Sequence, residues 1–107
     1  MYSEAAGADR RQYPRVPIDR AADVFAGGES FRVRVLDVSI GGARLLVDEQ
    51  IGEWGDEVHL RLPNTDKVIV RGTIVRVQRT DEGYALGLRF AALGSEAQAC
   101  VAELANG

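Results

Sequence analysis

The sequence predicts an all-β domain: a six-stranded antiparallel barrel with an N-terminal arm before it and a C-terminal α-helix after it. Three observations carry this. Apolar and polar residues alternate with period two in segments between residues 24 and 90. Turn residues (Gly, Pro, Asn, Asp) punctuate those segments at short intervals. Beyond Phe90 the period changes to that of a helix.

The elements follow in order. Val24 and Phe25 open a short strand that turns at Gly27-Gly28, a hairpin signal. Phe31, Val33 and Val35 alternate with Arg32 and Arg34 in the second strand. Ala43, Leu45 and Val47 mark the third, and Val58, Leu60 and Leu62 the fourth. Pro63-Asn64 and Asp66 make a turn. The stretch from Lys67 to Arg79 changes phase, because Val68 and Val70 share one face and Val75 and Val77 the other. Gly72 is the expected bulge or bend at that slip. Asp81-Glu82-Gly83 turns the chain into a last strand with Tyr84, Leu86, Leu88 and Phe90 inward. Six short strands so spaced describe an antiparallel barrel or sandwich. Ser95 and Gln98 form an expected capping box, and Ala97, Val101 and Leu104 one helical stripe. The coarse reading is an arm, a six-stranded barrel and a C-terminal helix that covers one opening or edge.

Counting excludes several classes. With 107 residues the chain is expected to hold one domain, residues 10–105, preceded by a frayed segment 1–9. One Cys rules out an intrachain disulfide and a Cys-based zinc site, and one His rules out a His-rich metal site. No apolar run approaches the length needed to span a bilayer. Residues 1–9 lack the basic and apolar regions of a secretory signal, so a cytoplasmic location is expected. The net charge of -3 argues against a whole-surface nucleic-acid binder. Twelve of the thirteen cations are Arg, an excess that a GC-rich genome would also produce.

Two segments carry candidate chemistry. Residues 10–20 (RRQYPRVPIDR) hold four Arg and two Pro and read as an extended arm. Arg11 and Arg15, four residues apart, would point to one side at a backbone separation of about 13 Å. Two guanidinium forks at that reach suit two phosphates, or a phosphate and a purine O6/N7 edge. Arg10 adds a third cation. The second segment is Asp37-Val38-Ser39-Ile40-Gly41-Gly42. Continuing the Phe31/Val33/Val35 face would bury Asp37, so the phase is expected to flip near Leu36 and leave Asp37 and Ser39 on the outer face. An acceptor carboxylate beside a hydroxyl fits adjacent N–H donors such as those of guanine. Taken alone, these six residues describe a turn better than a site.

Together the two segments resemble the PilZ domain family: RxxxR in an N-terminal arm (Arg11, Arg15, with Arg10 extending it), then DxSxxG (Asp37, Ser39, Gly42) 22 residues after Arg15. The runs Gly42-Ala43-Arg44-Leu45 and Leu86-Gly87-Leu88-Arg89-Phe90 are also similar to the family, and the resemblance covers roughly residues 9–104. It implies a PilZ-type six-stranded barrel that acts as a bacterial receptor for cyclic di-GMP. Arg11 and Arg15 would grip phosphates and guanine edges, Asp37 and Ser39 would read a guanine, and Gly42 would leave room in the turn. Arg10 inclines the expectation toward two intercalated cyclic di-GMP molecules. The ligand would order the arm and change the surface offered to an unidentified effector protein. A homodimer is compatible with this, whereas binding to nucleic acid and membrane insertion are not expected.

The alternatives are a PilZ-like protein-interaction module that binds no nucleotide and a small-barrel RNA binder. The second would need exposed aromatics beside a basic groove. Phe31, Tyr84 and Phe90 read as core, and Trp54 as a turn or rim residue. No enzyme, cofactor or metal is expected. His59 reads as a solvent-facing strand residue, and Cys100 as helix packing.

Overall fold

A computed structural model describes residues 15–106 of the chain. The strands are β1 (Val16–Ala26), β2 (Glu29–Val38), β3 (Gly42–Val47), β4 (Glu57–Arg61), β5 (Ile69–Thr80) and β6 (Gly83–Phe90), and α1 spans Ser95–Asn106. The strands close into an antiparallel barrel in the order β1-β2-β3-β6-β5-β4. Alternate side chains fill it: Val24, Val33, Val35, Leu45, Leu60 and Leu86 are buried.

The strand directions give the barrel two unlike ends. At the first, β1 enters beside the exit of β2, since Val16 pairs with Val38. The β2–β3 turn, the β4–β5 turn and the exit of β6 lie there too. α1 packs on β1 and β2 through Val101 and Leu104. Asn64 Nδ2 in the β4–β5 turn donates to the Cys100 carbonyl at 3.1 Å and ties that turn to the helix. At the second end lie the β1–β2 and β5–β6 hairpins. The segment 48–56 crosses the same opening, because β3 and β4 stand opposite each other in the barrel.

Three departures from the sequence expectation have physical reasons. β1 begins at Val16, inside the arm. Its first residues pair with β2 alone, because β4 reaches only Asp23, Val24 and Phe25. Pro17 therefore costs no ladder bond on that open side. A register shift between Pro17 and Arg20 hides the alternation, and Asp19 takes a φ of 65° within it, a conformation Asp tolerates better than most residues. In β5 the extra residue lies at Val75, between Ile74 and Arg76, while Gly72 stays in register opposite Val58 and Phe90. At α1, the Gly94 carbonyl accepts the first helical bond from Gln98 N at 2.9 Å. The Gln98 side chain donates to the Leu93 carbonyl at 3.0 Å, so Gly94 stands at the N-cap and the Ser95–Gln98 box does not form.

The shortest ladder, β1–β4, has three residue pairs. Arg61 spans it from the β4 side. Its Nη1 lies 3.2 Å from Asp23 Oδ2, and its guanidinium carbon lies 5.2 Å from the Phe25 ring centroid.

Candidate functional site: an arginine-clamped carboxylate beside a basic groove

The site begins with a phase change. β2 buries Val33 and Val35, then shifts register against β3 between Val35 and Asp37, and buries Val38. Leu36 is the extra residue. The bulge turns Asp37 outward, as the sequence requires if a carboxylate is to stay out of an apolar core.

Asp37 sits between Pro17 on β1 and Arg44 on β3. Arg15, just before β1, donates from Nη1 to Asp37 Oδ1 at 2.8 Å. Arg44 Nε lies 3.3 Å from Asp37 Oδ2. The Asp37 side chain keeps only 15% exposure. Each carboxylate oxygen thus meets its own guanidinium, and lone pairs remain on both. The sequence did not single out Arg44 as a site residue. Its signal was its position two residues into the strand that pairs with β2, which is where a cross-strand neighbour of Asp37 must lie.

Ser39 is corrected. It does not lie on the outer face beside Asp37. It is buried, at 6% exposure. Its Oγ accepts from Gly41 N at 3.1 Å, its N–H donates to the Gly42 carbonyl at 2.8 Å, and Gly42 N donates back at 3.3 Å. Ser39 therefore closes the β2–β3 turn, and a small hydroxyl satisfied by its own turn can be buried at low cost. Gly42 is buried as well. A Cβ there would run into the Leu88 carbonyl of β6, so the absent side chain lets β3 approach β6. Arg10 and Arg11 lie outside the described residues.

Beside this cluster the outer face of β2, β3, β6 and β5 forms an open groove of about 300 Å³. Its floor includes Leu46, Ala85 and Gly87, and Arg34, Arg44 and Arg76 stand along it. Arg34 Nε donates to Asp19 Oδ1 at 2.9 Å. That bond and the Asp19 charge raise the Arg34 guanidinium above its usual pKa. Among the described residues, Arg15, Arg34, Arg44 and Arg76 stand with Asp37, Asp19 and Glu82 around this cluster and groove, a local excess of positive charge in a chain of net negative charge. Among the described residues no group of three or more His, Cys, Asp or Glu could hold a metal ion, and no helix is long and apolar enough to cross a membrane.

The class is that of a closed six-stranded barrel in which Arg15, just ahead of β1, lies against a DxSxxG hairpin. A family model described as "PilZ domain" matches residues 9–107, and the chain belongs to that family. Solved structures with the same fold include Borreliella burgdorferi PlzA in complex with c-di-GMP, at TM-score 0.70 and 17% identity over 94% of this chain and 43% of that one. Bacillus subtilis MotI/DgrA, an inhibitor of motility, has TM-score 0.69 and 19% identity over 91% and 52%. The PilZ domain of Escherichia coli YcgR with c-di-GMP has TM-score 0.65 and 13% identity over 91% and 89%. The chain spans about half or less of the length of PlzA and MotI. Among curated proteins, no sequence matches.

Proposed function

We propose that this chain is a non-catalytic receptor for cyclic di-GMP. The observation that carries the reading is the contact between Arg15 and Asp37. It brings the two motifs, 22 residues apart, to 2.8 Å at the edge of an electropositive groove. Membership of the PilZ family and the c-di-GMP named with PlzA and YcgR agree with it.

The chemistry follows from the groups in place. Guanine presents N–H donors on one edge and O6/N7 acceptors on the other. The lone pairs left on Asp37 can take the donors, while Arg15, Arg11 and Arg10 supply forks for O6/N7 and for the phosphates. Arg15 and Arg44 already neutralise Asp37, so a dianionic ligand does not meet a bare carboxylate. Ser39 and Gly42 act indirectly, by holding the hairpin that presents Asp37. Arg10 supports the further proposal of two intercalated ligand molecules. Ordering of residues ahead of Arg15 would cost conformational entropy, which the ligand offsets only through contacts made in the docked state. The resulting surface would be read by an effector protein or a second copy of the chain.

Calorimetry with cyclic di-GMP, with GTP and cyclic di-AMP as controls, tests this. Wild type should bind cyclic di-GMP selectively and more weakly as salt rises. Arg15→Ala and Asp37→Ala should each weaken binding about 10- to 100-fold, the worth of a lost charge-assisted bond. Their melting curves should stay close to wild type, because a partly exposed ion pair contributes at most about 1 kcal/mol. Unchanged affinity in both variants, or none in wild type, would overturn the reading.

A further inference from the structure

The segment that crosses the second end of the barrel, residues 48–57 (DEQIGEWGDE), carries five carboxylates and no Lys or Arg. All five carboxylate residues are exposed. In its middle stands Trp54, the chain's single Trp, 74% exposed rather than packed at the rim.

The backbone that carries this Trp is held by a closed turn. Glu53 to Asp56 form a β-turn with Asp56 N donating to the Glu53 carbonyl at 3.0 Å. Gly55, third in the turn, has a φ of 93°, which only Gly adopts without strain there. Asp56 Oδ2 accepts from Glu53 N at 2.9 Å. Two further bonds lock the turn to β5: Gly55 N to the Ile74 carbonyl at 2.7 Å and Ile74 N to the Asp56 carbonyl at 2.9 Å. Beneath, Ile51 packs against the core. A large aromatic side chain on a fixed backbone loses little further freedom when it is covered, which is the property of an interface anchor.

The surroundings select the partner. The hairpin tips at the same end add Glu29, Asp81 and Glu82, so eight of the sixteen carboxylates gather here. Among the described residues Asp48, Glu49 and Glu53 make no ion pair, while Glu57 faces Arg71 at 3.6 Å and His59 at 3.8 Å. Such a surface repels nucleic acid and anionic membranes.

We infer that the Trp54 turn is a docking surface for a partner protein that presents an apolar socket rimmed by Lys or Arg. A second copy of this chain fits less well. Its electropositive region is the Asp37 cluster and the groove beside it, so the contact would be head to tail. Such a contact does not close on itself, and it would cover the groove. The turn lies at the opposite end from Asp37, so docking leaves that site open. The inference does not rest on the identity of the ligand.

The test immobilises the full chain and selects from a displayed library of short random peptides without nucleotide. Enriched peptides should combine Lys or Arg with a large apolar residue. Their binding should shift the emission of the lone Trp to the blue and weaken with salt. Trp54→Ala should weaken them about tenfold or more, Trp54→Phe less, and the double variant Glu49→Lys/Glu53→Lys about tenfold. Trp54→Ala should melt like wild type, because the side chain covers no core. The inference is overturned if no peptide is enriched, if enriched peptides lack cations, or if they bind Trp54→Ala equally. It is overturned too if sedimentation shows self-association that Trp54→Ala abolishes.

Discussion

At Asp37 the carboxylate meets two guanidinium groups before any ligand arrives, one from the segment ahead of β1 and one from β3. The geometry separates residues that can touch a ligand from residues that shape the hairpin. On the proposed reading Arg15, Arg44 and Asp37 belong to the first group, and Ser39 and Gly42 to the second. Gly42→Ala should therefore act on stability. Its Cβ would press on the Leu88 carbonyl, and parting β3 from β6 should cost about 1–3 kcal/mol, read as a lower denaturation midpoint. Much of this was legible in the sequence. The two motifs, through their resemblance to the family, picked out the segments of Arg15, Asp37, Ser39 and Gly42, but not the direct bond between Arg15 and Asp37. The side on which Ser39 lies was not legible, because a hydroxyl is as content with a backbone N–H in its own turn as with solvent.

Among the elements, the bulges do the positioning. The one at Leu36 was legible because continued alternation would have buried a carboxylate while Val38 faced water. The one in β5 was misplaced by three residues. Gly72 has no side chain to mark a face, and period counting alone cannot say which of the residues between Val70 and Val75 is the extra one. The start of β1 was hidden by its prolines and by the irregularity at Asp19. Deleting Leu36 should show what its bulge does. With the extra residue gone, Asp37 follows Val35 directly, so it still points outward and Val38 still points inward, now without a bulge. The expected outcome is a folded barrel that keeps a cooperative thermal transition, followed by circular dichroism, with a straighter β2 that shifts Asp37 against Arg15 and weakens cyclic di-GMP binding.

Over the whole molecule, charge is divided along the barrel. Among the described residues, Arg15, Arg34, Arg44 and Arg76 stand at the Asp37 cluster and along the groove, and eight carboxylates gather at the Trp54 end, so an overall charge of -3 describes neither region. Among the described strands, the start of β1, the first half of β2 and the end of β5 have a ladder on one side only, and the rest of the wall is paired on both sides. That wall also has a seam. β1 and β4 share three residue pairs, and Arg61 clasps them through Asp23 and Phe25. Opening there breaks fewer bonds than at any other junction and turns the cylinder into an open sheet. Amide hydrogen exchange should accordingly be fastest, among ladder-bonded amides, at those of residues 23–25 and 59–61 that bond across the β1–β4 seam. Arg61→Ala should speed it further while exchange across the β5–β6 ladder holds. The same opening would expose two complementary edges at once. Under mild denaturant and high concentration the seam is thus where two chains could trade β1, and the swapped dimer would be held together by the pairings that each monomer makes within itself.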